Sequence, residues 1–179
     1  MEGIVIYGSR YGSAKTYAEA LAQRTGFELR PYQSVGELDE YDAIAYVGAI
    51  YAGSVTGMKA TLSKLADGKA AGKRIAIATV GLTDTDDPDT VKRIEAGMRS
   101  QLPEDVIEAA SLYHLRGAID YTKLGLGHRA MMWLLRRTAR KMDESERSSE
   151  MQAVMDSYGK SVSYVNTDLV AQIADELTA

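Results

Sequence analysis

The chain has 179 residues, with 21 lysine and arginine against 25 aspartate and glutamate, a formal net charge of −4, and 45% apolar side chains. That size and balance suit one soluble α/β-sized domain spanning 1–179, and the net acidity argues against a nucleic-acid partner. With no cysteine and two histidines, disulfides, thiol chemistry and a histidine-rich metal site are excluded, so a redox role would need a bound cofactor and no metal is expected.

Ile4, Val5 and Ile6 form a short β-branched run, the pattern of a buried strand. Gly8 breaks it, and Ser9, Arg10, Tyr11, Gly12 and Ser13 make a small polar loop. From Ala14 onward Tyr17, Ala18, Leu21 and Ala22 fall at helical spacing. Strand, tight loop and helix start gather unpaired N–H groups at the positive end of a helix dipole, a phosphate site that needs neither metal nor lysine. The loop lacks the Gly-Lys-Ser/Thr ending of an NTPase P-loop. Gly8 and Gly12 alone do not make the three-glycine dinucleotide fingerprint.

Gly26 ends the first helix, and Phe27–Arg30 reads as a second strand stopped by Pro31. A short helix is expected around Val35–Leu38, a third strand over Ala43–Gly48 and a helix over Thr56–Ala66. The fourth strand is Gly72–Val80, followed by an acidic loop to Pro88 and a helix over Asp89–Ser100 that stops before Pro103. A fifth strand is expected at Ser111–Arg116 and a last helix at Thr167–Leu177, capped by Asn166 or Thr167. No apolar run is long enough to span a bilayer, and the first strand starts too near Met1 for a secretory leader, so a cytoplasmic location is expected.

Five βα units in alternation imply a doubly wound, five-stranded parallel sheet with helices on both faces. Its ligands would sit at the carboxyl ends of the strands, beside the switch in strand order. A response-regulator receiver shares this architecture but needs an aspartate ending the third strand and an acidic pair after the first. Gly48-Ala49 and Gly8-Ser9 stand there instead, which excludes it.

Residues 121–165, between the fifth strand and the last helix, are too long for an ordinary connection and read as a helical insert. Gly127–Met142 is expected as a helix with Met131, Leu134, Leu135, Thr138 and Met142 on one stripe and Trp133 near its boundary. Lys123, Arg129, Arg136, Arg137, Arg140 and Lys141 lie between Tyr121 and Lys141 without an acid, leaving 15 basic against 25 acidic residues elsewhere. Such a helix suits membrane-surface or substrate docking, or ordinary packing on the core by its apolar stripe. Residues 143–150 read as a mobile polar connector, and Met151–Tyr164 as helical in part.

The first loop resembles the flavodoxin signature, with Val5, Ile6, Tyr7, Ser9, Gly12, Ala18 and Leu21 in its places. Two positions depart from it. Ala14 replaces a threonine whose hydroxyl binds the FMN phosphate in that family, and Tyr11 stands where threonine is frequent. Ser9, Ser13, Thr16 and the backbone would then carry the phosphate. The resemblance implies an FMN site made by Ser9, Arg10, Tyr11, Gly12, Ser13 and Ala14, then Ala49, Ile50, Tyr51, Ala52 and Gly53, then Val80, Gly81, Leu82 and Thr83. Tyr51 would stack on the ring and Gly53 would permit a backbone rearrangement. The third loop has no aromatic, leaving that face open to an organic molecule; Asp84, Asp86 and Asp87 read as loop acids and caps.

The order Tyr113–Leu124, then a Met-rich basic helix, then Tyr164–Asp168 resembles a long-chain flavodoxin-like branch over essentially the whole chain. That branch includes the menaquinone-dependent protoporphyrinogen dehydrogenases of haem synthesis. The resemblance implies an FMN-dependent oxidoreductase that oxidises a reduced, protoporphyrinogen-like substrate with a quinone as acceptor and has no catalytic side chain. Arg116, Trp133, Arg136, Arg137 and Arg140 would meet substrate propionates or lipid phosphates, with peripheral contact at the inner face of the membrane through 127–142. The alternatives are a small electron-carrier flavodoxin that docks redox proteins, and a cofactor-free binding module.

Overall fold

The computed structural model describes residues 1–51, 53–143, 147 and 149–179; Ala52 and residues 144–146 and 148 of the connector expected at 143–150 therefore lie outside the described residues. In chain order the elements are β1 (Gly3–Gly8), α1 (Ser13–Thr25), β2 (Glu28–Pro31), β3 (Ala43–Tyr51), β4 (Ser54–Val55) and α2 (Met58–Leu62). They continue through β5 (Arg74–Gly81), α3 (Pro88–Arg99), α4 (Glu104–Glu108), β6 (Ala110–Arg116) and β7 (Ala118–Asp120). The chain closes with α5 (Leu126–Ala139), α6 (Ser149–Ser157), β8 (Ser161–Ser163) and α7 (Val170–Thr178).

The main sheet runs β2-β1-β3-β5-β6, all parallel, with the short β4 folded back antiparallel on the end of β3. This is the doubly wound α/β fold expected from the alternation. Side-chain alternation along the strands sorts large from small. Ile4, Ile6, Ile44, Tyr46, Ile75 and Ile77 face Met58, Leu62, Leu65, Met98 and Val106 of the α2–α4 layer. Val5, Ala45, Val47, Ala76 and Ala78 face the opposite layer, where α1 and α7 pack side by side. Alanines on that face let α1 lie close, with Ala14, Tyr17, Ala18 and Leu21 buried. Truncating Leu21 to alanine there would cost about 2–5 kcal/mol.

Several local expectations shift. No helix forms around Val35–Leu38; a 3-10 turn at Tyr32–Ser34 precedes it, and Leu38 enters the core from an irregular segment. Pro103 does not simply end α3 but opens α4, as a proline free of an N–H obligation can. The insert is tied at its base by an antiparallel pair, Ala118, Ile119 and Asp120 opposite Ser163, Val162 and Ser161. These strands are too short to show a period in sequence. Ile119, Tyr121, Leu124 and Met132 form a small third core against Leu82, Leu135, Val154 and Tyr158.

Tyr17 anchors the return of the insert to the sheet. Its hydroxyl donates to the Arg116 carbonyl at 2.7 Å and accepts from the Asn166 N–H at 2.9 Å. α1, the end of β6 and the approach to α7 are thereby joined at one buried phenol.

Candidate functional site

β1 and β3 are neighbours whose connections leave in opposite directions, so the sheet has its switch point between them. The carboxyl ends of β1, β3, β5 and β6 all open on one cavity of about 430 Å³. Ser9, Arg10, Tyr11, Ser13 and Ala14 line it from the first loop, Ala49, Ile50, Tyr51 and Gly53 from the second, and Val80, Gly81, Leu82 and Thr83 from the third. Gly12 does not line it. It caps α1 at φ 101°, a left-handed conformation that glycine adopts without strain, and sits in open space.

The loop uses its own polar groups in ways the sequence does not reveal. The Gly12 N–H donates to Ser9 Oγ at 3.1 Å, so this amide serves the turn. Thr16, a candidate phosphate ligand, is exposed and donates its hydroxyl back to the Gly12 carbonyl at 3.2 Å; it does not line the cavity. Ser13 Oγ accepts from the Ala118 N–H at 3.0 Å, which leaves its own hydrogen to donate. Ala14 is fully buried among the α1 contacts. No side chain caps α1, so its first-turn N–H groups are left to a ligand or solvent.

Among the described residues Arg10 is the one of fixed charge along the cavity wall, and no carboxylate of theirs lies there. Its guanidinium rests over the Tyr51 ring at 4.0 Å, so one face of the tyrosine expected to stack on a cofactor is covered by Arg10. Burial raises the Tyr11 phenol above its ordinary value, opposed by the Arg10 charge. One end of the cavity thus carries a cation and a helix N-terminus, and the rest is mostly apolar, a layout suited to a molecule with an anionic tail and a flat apolar body.

The five residues expected at a substrate or membrane contact do not line the cavity. Arg116 stacks over Tyr164 at 3.9 Å, Arg136 over Tyr158 at 4.2 Å and Arg137 over Trp133 at 5.4 Å. None of these, nor Arg140, lines the cavity; for the residues of the α5 segment the reason is that the helix presents another face to it. That face carries His128, Met131, Met132 and Leu135, with Leu124, Ile119 and Val154 beside it. The expected stripe is rotated accordingly: Leu134 and Thr138 are exposed, and Met132 and Ala139 are buried. Residues 131, 132 and 135, three, four and seven positions after His128, carry the helical spacing of that face in the sequence.

A family model described as a flavodoxin domain matches residues 4–146. The chain belongs to the flavodoxin family. Solved structures with a similar fold include oxidised flavodoxin 1 from Bacillus cereus, at 14% identity and a TM-score of 0.46, over 65% of this chain and 84% of that one. A mutant flavodoxin from Pseudomonas aeruginosa is 18% identical at a TM-score of 0.47, with both chains covered to 100%. A flavoprotein in complex with FMN from Lactobacillus acidophilus is 11% identical at a TM-score of 0.44, over 64% of this chain and 91% of that one. No curated protein matches the chain.

FMN is the cofactor of this flavodoxin, and the cavity residues fit it. The uncapped α1 terminus, the free Ser13 hydroxyl hydrogen and Arg10 would hold the phosphate. Ala49, Ile50, Val80 and Leu82 would give the ring apolar cover, and Gly81, beside Ile50, keeps the third loop close.

Proposed function

We propose that the chain is an FMN-dependent oxidoreductase of the branch resembling menaquinone-dependent protoporphyrinogen dehydrogenases, oxidising a reduced organic substrate with a quinone as acceptor. The observation that supports this reading is the shared cavity. Leu124, His128, Met131, Met132, Leu135 and Val154 of the insert line the same space as the three cofactor loops. An electron carrier needs only a cofactor edge presented to a protein. A chamber roofed by a Met-rich helix offers an adaptable apolar surface to an organic molecule instead.

The bound FMN would supply the redox chemistry, and the chain's own residues bind, orient and exclude water. In balance, each pair of hydrogens removed from the substrate converts one quinone to its quinol. The quinone would come from a lipid surface. The outer side of α5 exposes Leu126 at 84%, Trp133 at 51% and Leu134 at 57%, with Arg137, Arg140 and Lys141 on the same side. Apolar side chains rimmed by basic ones suit shallow contact with an anionic bilayer. No helix among the described residues is long and apolar enough to cross a membrane.

The test is anaerobic protoporphyrinogen IX with menadione and FMN-loaded protein, followed by porphyrin fluorescence. Porphyrin formation dependent on both protein and menadione is the expected result. Absence of turnover, with rapid reduction of the bound FMN by a flavodoxin reductase, would move the assignment to an electron carrier, which the acidic remainder of the chain would suit.

A further inference from the structure

The insert keeps its charge away from the cavity. α5 and its flanks carry Lys123, Arg129, Arg136, Arg137, Arg140 and Lys141, and none of them lines the wall. Lys123 pairs with Asp120 at 3.5 Å, and Arg129 donates to the Tyr121 carbonyl at 3.1 and 3.3 Å. Arg136 lies over Tyr158 and Arg137 over Trp133, while Arg140 and Lys141 are exposed. What the insert turns inward is Ile119, Met131, Met132, Leu135 and Val154, joined by Leu82 of the third loop. These six side chains also belong to the third core, so this part of the wall is a packed apolar cluster left open on the cavity side. The one ionisable side chain that α5 adds, His128, lies against the Tyr11 and Tyr51 rings at 5.4 and 4.9 Å. Fixed charge and the hydroxyls of Ser9 and Ser13 come from the first loop.

An ionised group set against such a wall loses its water and gains no counter-charge, whereas a neutral ring gains from being buried there. We propose that the roofed part of the cavity is a charge-selective subsite. It takes an uncharged, flat, apolar ring and rejects the same ring once an anionic group is attached, with Met131, Met132 and Leu135 setting this specificity. The subsite rests on the reading of FMN with a quinone acceptor and narrows it: a neutral naphthoquinone enters, and a porphyrinogen-like donor has to keep its propionates outside the roof. Unbranched thioethers adapt to rings of different outline without offering a charge. The Tyr51 hydroxyl donates to Met131 Sδ at 3.8 Å, which sets this adaptable wall against the second cofactor loop.

The test reads binding without turnover. Methionine methyl resonances of the full, FMN-loaded chain are followed by NMR while menadione or a naphthoquinone sulfonate is added; with the flavin kept oxidised, no electrons pass. Met58 and Met98, fully buried in the core on the other face of the sheet, serve as internal controls. Menadione should shift the Met131 and Met132 methyls saturably and leave the controls still. The sulfonate should need about tenfold higher concentration or more for the same shift. Leu135→Arg, which puts a guanidinium into the wall, should bring the sulfonate within about threefold of menadione, and Leu135→Gln should not. Equal binding of the two ligands by the parent overturns the charge selectivity and leaves the quinone reading standing; this comparison needs no variant. Rejection of the sulfonate by folded Leu135→Arg as strongly as by the parent also overturns it. Unmoved Met131 and Met132 with either ligand, in protein whose flavin fluorescence is quenched, removes the subsite while FMN binding stands. Absence of porphyrin formation in the assay above, with menadione alone shifting these methyls, fails the donor reading and supports the subsite.

Discussion

Ser13 Oγ accepts the Ala118 N–H at 3.0 Å, joining the first residue of α1 to the first residue of β7 across the cavity wall. The serine is therefore both a structural acceptor and, through its remaining hydrogen, a donor toward a phosphate. Ser13→Ala should cost two separable amounts. Leaving the Ala118 N–H unpaired is expected to lower stability of the cofactor-free chain by about 1–3 kcal/mol, read by urea unfolding. Losing a charge-assisted bond should weaken FMN by about 1.5–3 kcal/mol while riboflavin, which lacks the phosphate, is held as before. Equal losses for FMN and riboflavin would remove Ser13 from the phosphate site.

Ala14 gives the opposite expectation from the one its position in the signature suggests. A threonine there would appear to restore a phosphate hydroxyl, but Ala14 is 0% exposed and packed into the core layer beneath α1. Ala14→Thr adds two heavy atoms to an enclosed site and should destabilise by about 1–3 kcal/mol through overpacking. No gain in FMN affinity is expected. A variant that binds FMN more tightly at unchanged unfolding midpoint would show that the side chain has room to turn toward the phosphate.

The sheet and its helices were legible because their signals are long and periodic. The runs at Ile4–Ile6, Ala43–Gly48 and Ile75–Val80 are uninterrupted and, Tyr46 apart, β-branched or small, as suits strands buried on both faces. That the three loops ending β1, β3 and β5 would line one cavity followed from where strands end. The roof did not follow. α5 has apolar residues around much of its circumference, so a stripe through Leu134 and Thr138 looked as good as one through Met132 and Leu135. Which face turns inward is set by Ile119, Tyr121 and Leu124, placed by a three-residue ladder to β8 that has no sequence period of its own. His128 lay outside the expected stripe for the same reason.

Alkaline pH should unfold this chain steeply. Burial raises the phenols of Tyr17, Tyr41, Tyr46, Tyr113 and Tyr121 above their ordinary value of 10.0, with Tyr113 and Tyr121 pushed up to about 12. For Tyr113 the burial effect is reinforced by hydrogen bonding to the Glu176 carboxylate. The folded state then holds more protons than the unfolded one above the ordinary tyrosine range, so stability falls as pH rises. The contribution is complete below pH 10.0 and is lost through about 12 for Tyr113 and Tyr121, and higher for Tyr46. Urea midpoints measured across this range should hold steady and then drop, and Tyr113→Phe should make the drop shallower. A midpoint independent of pH through the tyrosine range would contradict the burial of these phenols.

The paired strands at its base allow the insert to be removed without cutting the sheet. Asp120 faces Ser161 as the outermost pair of the β7–β8 ladder, so replacing residues 121–160 with Asn-Gly closes that ladder with a two-residue turn. The bond from the Tyr164 N–H to the Gly117 carbonyl at 3.0 Å and both bonds of the Tyr17 hydroxyl remain. The two core layers on the main sheet lie wholly outside the deletion. The shortened chain should fold with an unfolding midpoint close to the parent's, although Leu82, Ile119 and Val162 lose their cover and should lower solubility. FMN should still bind through the first loop, more weakly because the wall made by His128, Met131, Met132 and Leu135 is gone. Oxidation of protoporphyrinogen with menadione should fall to background, since the roofed chamber no longer exists. Turnover equal to the parent's would place the substrate on the open third loop instead and reduce the insert to scaffold. Failure to fold would mean that the third core, small as it is, stabilises the carboxyl ends of the strands and not merely the helix above them.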